Sequence, residues 1–198
     1  MRGQRQGGFS LAEAAIVLAV AGALIAGIFV YASQANDNAR IFRNQQLVME
    51  LIEKLRNAYG MRGSLGTPTP DELVRQGIVP DEMVADPSCK DGNSTCVLAH
   101  DWWRGAGNGL EITALDIPVS CRSTTQGQTR GVMIKYKTLP AQVCRQFPTR
   151  FAAAADDIKF FCARVGTADW LPSEELTELN QACGDDPQDV GLVFGFRP

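Results

Sequence analysis

From Phe9 to Ser33 the chain reads FSLAEAAIVLAVAGALIAGIFVYAS, 25 residues with a single charge, Glu13. As a helix rising 1.5 Å per residue this run is about 37 Å long, enough to cross a bilayer core of about 30 Å. The eight residues before it, MRGQRQGG, are basic and glycine-rich. Arg2 and Arg5 keep the N-terminus cytoplasmic by the positive-inside rule, which puts everything after Ser33 on the far side. A secretory signal peptide has a similar plan. The run is long for a signal core, however, and no Ala-x-Ala exit stands at its far end. A carboxylate at mid-membrane costs about 3 kcal/mol on an insertion scale. Glu13 lies shallower than that, but a disposable signal has no reason to carry it at all.

The helical pattern continues beyond Ser33. In ANDNARIFRNQQLVMELIEKLRNAYG the apolar residues Val48, Ile52, Leu55 and Tyr59 recur at helical spacing, and Gly60 supplies a stop. The spacing predicts one helix from Phe9 to Tyr59, apolar all round in its first half and one-faced in its second. Within the first half, Ala15, Ala19, Ala23 and Gly27 form a small-residue stripe beside a bulky one of Ile16, Val20, Leu24 and Ile28. Small stripes let helix backbones approach closely. Gly22 and Gly27 weaken the helix locally, each by about 1 kcal/mol relative to alanine.

The remainder alternates like a soluble domain. Thr69 and Pro70 open a short helix that Gly77 closes. LEITALDIPV and RGVMIKYKT read as strands, LPAQVCRQF as a helix start, PSEELTELNQAC as a helix capped by Ser173, and Val190 to Phe196 as a last strand. Trp102 and Trp103, followed by Gly105 and Gly107, read as packing anchors. Those glycines are not a phosphate loop, since no Lys-Ser/Thr follows them. Helices and strands together make the fold class α+β.

The residues around the leader carry a resemblance. GGFSLAEAAIVLAV resembles the N-terminus of type IV pilins and their relatives. The resemblance implies that a prepilin peptidase cuts after Gly8 and methylates the new N-terminus at Phe9. It also implies that Glu13 meets the amine of a neighbouring subunit during assembly. Such a pair is stronger in a low-dielectric setting than in water. The strand RGVMIKYKT, the helix with Cys144, and Cys183 just before a final strand are similar to type IVb pilins, the toxin-coregulated and bundle-forming group. That the long N-terminal helix lies on an antiparallel sheet is what the family resemblance implies. The Gly8-Phe9 junction looks more like type IVa pilins or type II secretion pseudopilins. The domains expected are a leader at 1–8, a pilin helix at 9–59 with 9–33 in the membrane, and a globular head at 60–198. The implied partners are the peptidase, related pilin subunits, the pilus assembly machinery, and the inner membrane before assembly, with an extracellular pilus afterwards.

Six cysteines in an extracytoplasmic domain imply three disulfides, and six allow fifteen connectivities. The resemblance implies Cys144–Cys183. Closeness in sequence favours Cys89–Cys96, which leaves Cys121 and Cys162. A zinc site at Cys89, Cys96 and His100 is the alternative, but its spacing is not that of a zinc motif and no fourth ligand is evident. His100 is the only histidine, read as a loop surface or packing residue. The paired acids Asp156-Asp157 and Asp185-Asp186 read as solvated turns rather than a general acid–base pair. Asn93-Ser94-Thr95 fits a glycosylation acceptor. No cofactor and no enzymatic activity are expected. The net charge of −3 gives no basic footprint for nucleic acid.

Overall fold

The computed structural model describes residues 11–59, 68–92, 95–103, 105–121, 130–153 and 155–195. The chain divides into two compact units, residues 1–40 and 41–198. Helix α1 runs from Leu11 to Tyr59 without a break. It passes through Gly22 and Gly27, and beyond the helix's own neighbouring backbone neither has an atom within 4 Å of the place a Cβ would take. Gly60 and Ser10 lie outside the described residues.

The second unit is α+β. Among the described residues its sheet has five antiparallel strands in the order β1-β2-β5-β3-β4. These are β1 (Leu110–Asp116), β2 (Arg130–Leu139), β3 (Phe160–Val165), β4 (Leu171–Pro172) and β5 (Gln188–Gly195). The helices are α2 (Pro70–Arg75), α3 (Ala141–Ala152), α4 (Ala155–Ile158) and α5 (Leu179–Ala182). On one face of the sheet the α1 side chains Val48, Leu51, Ile52 and Leu55 join Ile134 and Tyr136 of β2 and Leu192 and Phe194 of β5 in one core. The helical spacing predicted Val48, Ile52, Leu55 and Tyr59 as the buried face. That face also takes in Ile41, Asn44 and Leu51. On the other face Ile117, Cys121, Phe161, Cys162 and Val193 form a smaller cluster, with Met133 and Trp170 against it.

Local chemistry accounts for several element ends. Thr69 and Glu72 form a reciprocal capping box at the start of α2, with Pro70 in its first turn. Gly77, at φ 68°, takes the left-handed backbone after that helix. The strand expected from Val190 begins two residues earlier, at Gln188, and Phe196 lies outside the described residues. One expectation is corrected. Ser173 does not cap a helix: no helical turn follows directly for its hydroxyl to cap, and its N–H donates to Phe161 O at 3.0 Å, extending the β3–β4 contact. Helical structure begins only at Leu176, as one 3-10 turn to Glu178 that leads into α5.

Candidate functional site

In the first unit every large apolar side chain of α1 from Leu11 to Tyr31 is exposed, Leu11 at 92% and Tyr31 at 75%. Among the described residues α1 is long and apolar enough to cross a membrane. Glu13 sits in its first turn, exposed, on the same helix as the stripe Ala15, Ala19, Ala23 and Gly27. Gly8 and Phe9 lie outside the described residues. An exposed apolar surface of this extent marks a contact with lipid or protein.

In the second unit the six cysteines are joined as Cys89–Cys96, Cys121–Cys162 and Cys144–Cys183. Cys89 and Cys96 therefore offer no thiolate to zinc. Each staple has a distinct task. Cys144–Cys183 ties α3 to the residue after α5. Cys121–Cys162 ties the segment after β1 to β3 on the sheet's second face. Cys89–Cys96 closes a short loop. Asp185 is exposed and faces Arg145 at 3.3 Å, a solvated pair. Asn93 and Ser94 of the glycosylation motif lie outside the described residues.

Sequence reasoning missed the polar seam between α1 and the sheet. Asn44, 1% exposed, donates from Nδ2 to Asp101 Oδ2 at 3.0 Å. His100, 6% exposed, contacts Lys137 O of β2 through Nε2 at 2.9 Å, and its Nδ1 receives the Trp102 N–H at 3.3 Å. A carbonyl only accepts and a backbone N–H only donates. Nε2 therefore carries the proton and the ring is neutral. Burial pushes the imidazole below its ordinary pKa, against the hydrogen bond to Lys137 and the charge of Asp101. The Tyr136 ring lies 5.2 Å from it, and burial raises that phenol well above its usual range, with Asp101 adding to the effect. Trp102 packs edge-on to Phe147. Trp103 lies flat on glycine backbone: a Cβ on Gly109 would sit 2.5 Å from its ring, while its Nε1 donates to Gly107 O. The only sequence signal of this seam was an Asn on an otherwise apolar stripe.

A second anchor is Arg56, near the end of α1. Its guanidinium donates to Ile158 O at 2.5 Å and to Gly195 O at 3.2 Å, and burial lowers its pKa. At the far end of β2, Thr138 holds φ 51°, in the left-handed region that a β-branched residue rarely enters. Asp189 supports it, accepting the Thr138 N–H on Oδ1 and pairing Oδ2 with Lys135 Nζ at 2.8 Å. Partial burial raises the Asp189 pKa, but the bonds from Lys135 and Thr138 outweigh it and hold the carboxyl below its ordinary value.

Together these features define a class: an apolar helix with one early carboxylate, continuous with the packing helix of a disulfide-stapled α+β domain. No family model and no curated protein matches the chain. Among solved structures it is similar to the crystal structure of a type IVb pilin from Salmonella typhi. The identity is 12%, the match covers 78% of this chain and 97% of that one, and the TM-score is 0.46.

Proposed function

We propose that the chain is a structural subunit of a type IV pilus-like filament, cut by a prepilin peptidase between Gly8 and Phe9 and polymerised through the first half of α1. One observation carries the reading. A glycine, an apolar residue and a glutamate fall in register at Gly8, Phe9 and Glu13, and no charge follows from Ala14 to Asn36 of an apolar helix. Cleavage would create an amine at Phe9. Glu13, buried among neighbouring helices in place of water, would need such a cation. Residues 1–8 would be the leader, with the second unit presented outside the cytoplasm and α1 in the inner membrane before assembly. A heterologous, non-closing contact of this kind builds a helical filament. Adhesion, aggregation or DNA transfer would then come from the head surfaces.

The order of β2, α3 with Cys144, then Cys183 and β5 supports a type IVb-like head. The Gly8-Phe9 junction favours a second reading, a type II secretion pseudopilin, which shares the N-terminal chemistry. The test is the N-terminus of the membrane-extracted protein by mass spectrometry. The expected species begins at Phe9 and carries an added methyl group; an intact Met1 would overturn both readings. Imaging with antibody to the head then separates the two: long surface filaments indicate a pilus, and staining confined to the periplasm indicates a pseudopilus.

A further inference from the structure

We propose that His100 is an acid-sensitive latch, holding the His100–Trp103 turn against α1 and β2 while neutral and releasing it when protonated. The geometry is that of a group with room for one proton. Nε2–H is committed to Lys137 O at 2.9 Å, and Nδ1 faces the Trp102 N–H at 3.3 Å. A second proton on Nδ1 sets one donor against another. The ring is almost fully buried, so it has no water to turn to. Relief requires the turn to move, and Trp103, whose N–H donates to His100 O at 2.9 Å, moves with it.

The charged and titratable groups on the elements around the ring fix the direction of release. Its own turn presents Asp101. β2 presents Tyr136 and Lys137, and the Lys137 ammonium is paired to Glu111 of β1 at 2.5 Å. Within this unit, α1 presents the neutral Asn44 to Asp101. Asp101 is thus the carboxylate an imidazolium would seek, and Asn44 already holds one of its oxygens at 3.0 Å. Protonated His100 competes with Asn44 for Asp101. Acid therefore weakens the hydrogen bond between Asn44 of α1 and Asp101 of this turn. The latch is independent of the filament reading, because each readout below is taken on the unassembled chain.

The experiment uses the full chain in detergent micelles. As His100 is the only histidine, its ring resonances are unambiguous in a pH titration by NMR. Amide hydrogen exchange at Trp102 and Trp103 is followed in parallel. The expected midpoint lies below 6.5, the ordinary value for histidine. Beyond the intrinsic pH dependence of exchange, opening of both amides should increase on protonation. The increase should be about tenfold for each pH unit by which the midpoint is depressed. Asn44→Ser, which frees Asp101 for the imidazolium, should move the midpoint upward. His100→Gln should abolish the pH-dependent opening; if that variant does not fold, the wild-type titration and Asn44→Ser still decide. A midpoint at or above 6.5, or opening that stays constant through the titration, overturns the latch.

Discussion

Asn44 occupies a place on α1 where the helical spacing calls for hydrocarbon, and its neighbours explain why an amide is tolerated. It is buried, but it reaches a carboxylate that is itself only half-buried. A hydrogen bond to a charged group contributes about 1.5–3 kcal/mol, and losing one partner leaves the other to find water. Asn44→Ala is therefore expected to lower unfolding stability by about 2 kcal/mol, read from the urea midpoint at pH 7.5 with an unchanged slope. No measurable loss would mean Asp101 is rehydrated freely. His100 gives a pH dependence of definite sign. Its folded-state pKa is depressed by burial, so the unfolded chain binds the proton more tightly. Stability from this group is complete above about pH 6.5 and declines as the pH falls toward the folded value. The urea midpoint should drop from pH 7.5 to pH 5, and the drop should shrink in His100→Gln. Asp189 acts the same way at lower pH. Its depressed pKa adds stability that disappears only as the pH falls below the ordinary carboxylate value of 3.8.

At the scale of elements, the staples should differ in worth because they close loops of different length. In the chain-entropy picture, Cys121–Cys162 and Cys144–Cys183, with sequence separations of 41 and 39, each contribute about 4 kcal/mol. Cys89–Cys96, with a separation of 7, contributes about 2.5 kcal/mol. Paired Cys→Ala variants assayed by thermal unfolding should fall in that order, with Cys89→Ala/Cys96→Ala the mildest. An equal loss for all three would show that native packing, not loop closure, sets the scale. Gly109→Ala should also destabilise, by about 1–3 kcal/mol, since its methyl would enter the Trp103 ring. Elements governed by neighbouring residues were legible in the sequence. The Thr69 cap with Pro70 after it and the amphipathic half of α1 need only their own spacing. β3 was not legible. FFCARV shows no alternation because clusters cover both faces of the sheet there, and a short continuous apolar run reads equally as strand or buried helix. The Ser173 segment misled for a related reason. A serine before acidic residues is a good cap in isolation, but here Ser173 continues the sheet edge, its N–H donating to Phe161 O, and no helical turn follows directly for its hydroxyl to cap.

Across the whole molecule the two units pose opposite problems. The second buries its apolar side chains around a sheet and fixes its loops with disulfides. The first presents Leu11 to Tyr31 with no large apolar side chain buried, so it depends on lipid or on other helices. That dependence was legible, because a run with one charge in 25 residues admits few environments. The His100 seam was not, because it is assembled from α1, a loop and β2, which lie far apart in sequence. The decisive variant for the proposed function belongs at this scale. Glu13→Ala removes the single charge in the apolar run and leaves Gly8 and Phe9 intact, so peptidase cleavage should proceed. In the membrane the variant is more soluble in hydrocarbon than the wild type. It should therefore accumulate as the processed form in the inner membrane. Assembly should fail if Glu13 meets the Phe9 amine of the next subunit, since that amine would then enter a dry helix bundle without a counter-charge. The measurement is the ratio of processed subunit in sheared filaments to that in membranes. The expected change is a drop of at least about tenfold, the equivalent of 1.4 kcal/mol. Glu13→Asp, which keeps the charge on a shorter arm, should recover part of the loss, whereas Glu13→Gln should not. Filaments at the normal level from both Glu13→Ala and Glu13→Gln would remove the ion pair from the mechanism and leave the small-residue stripe to bring the helices together.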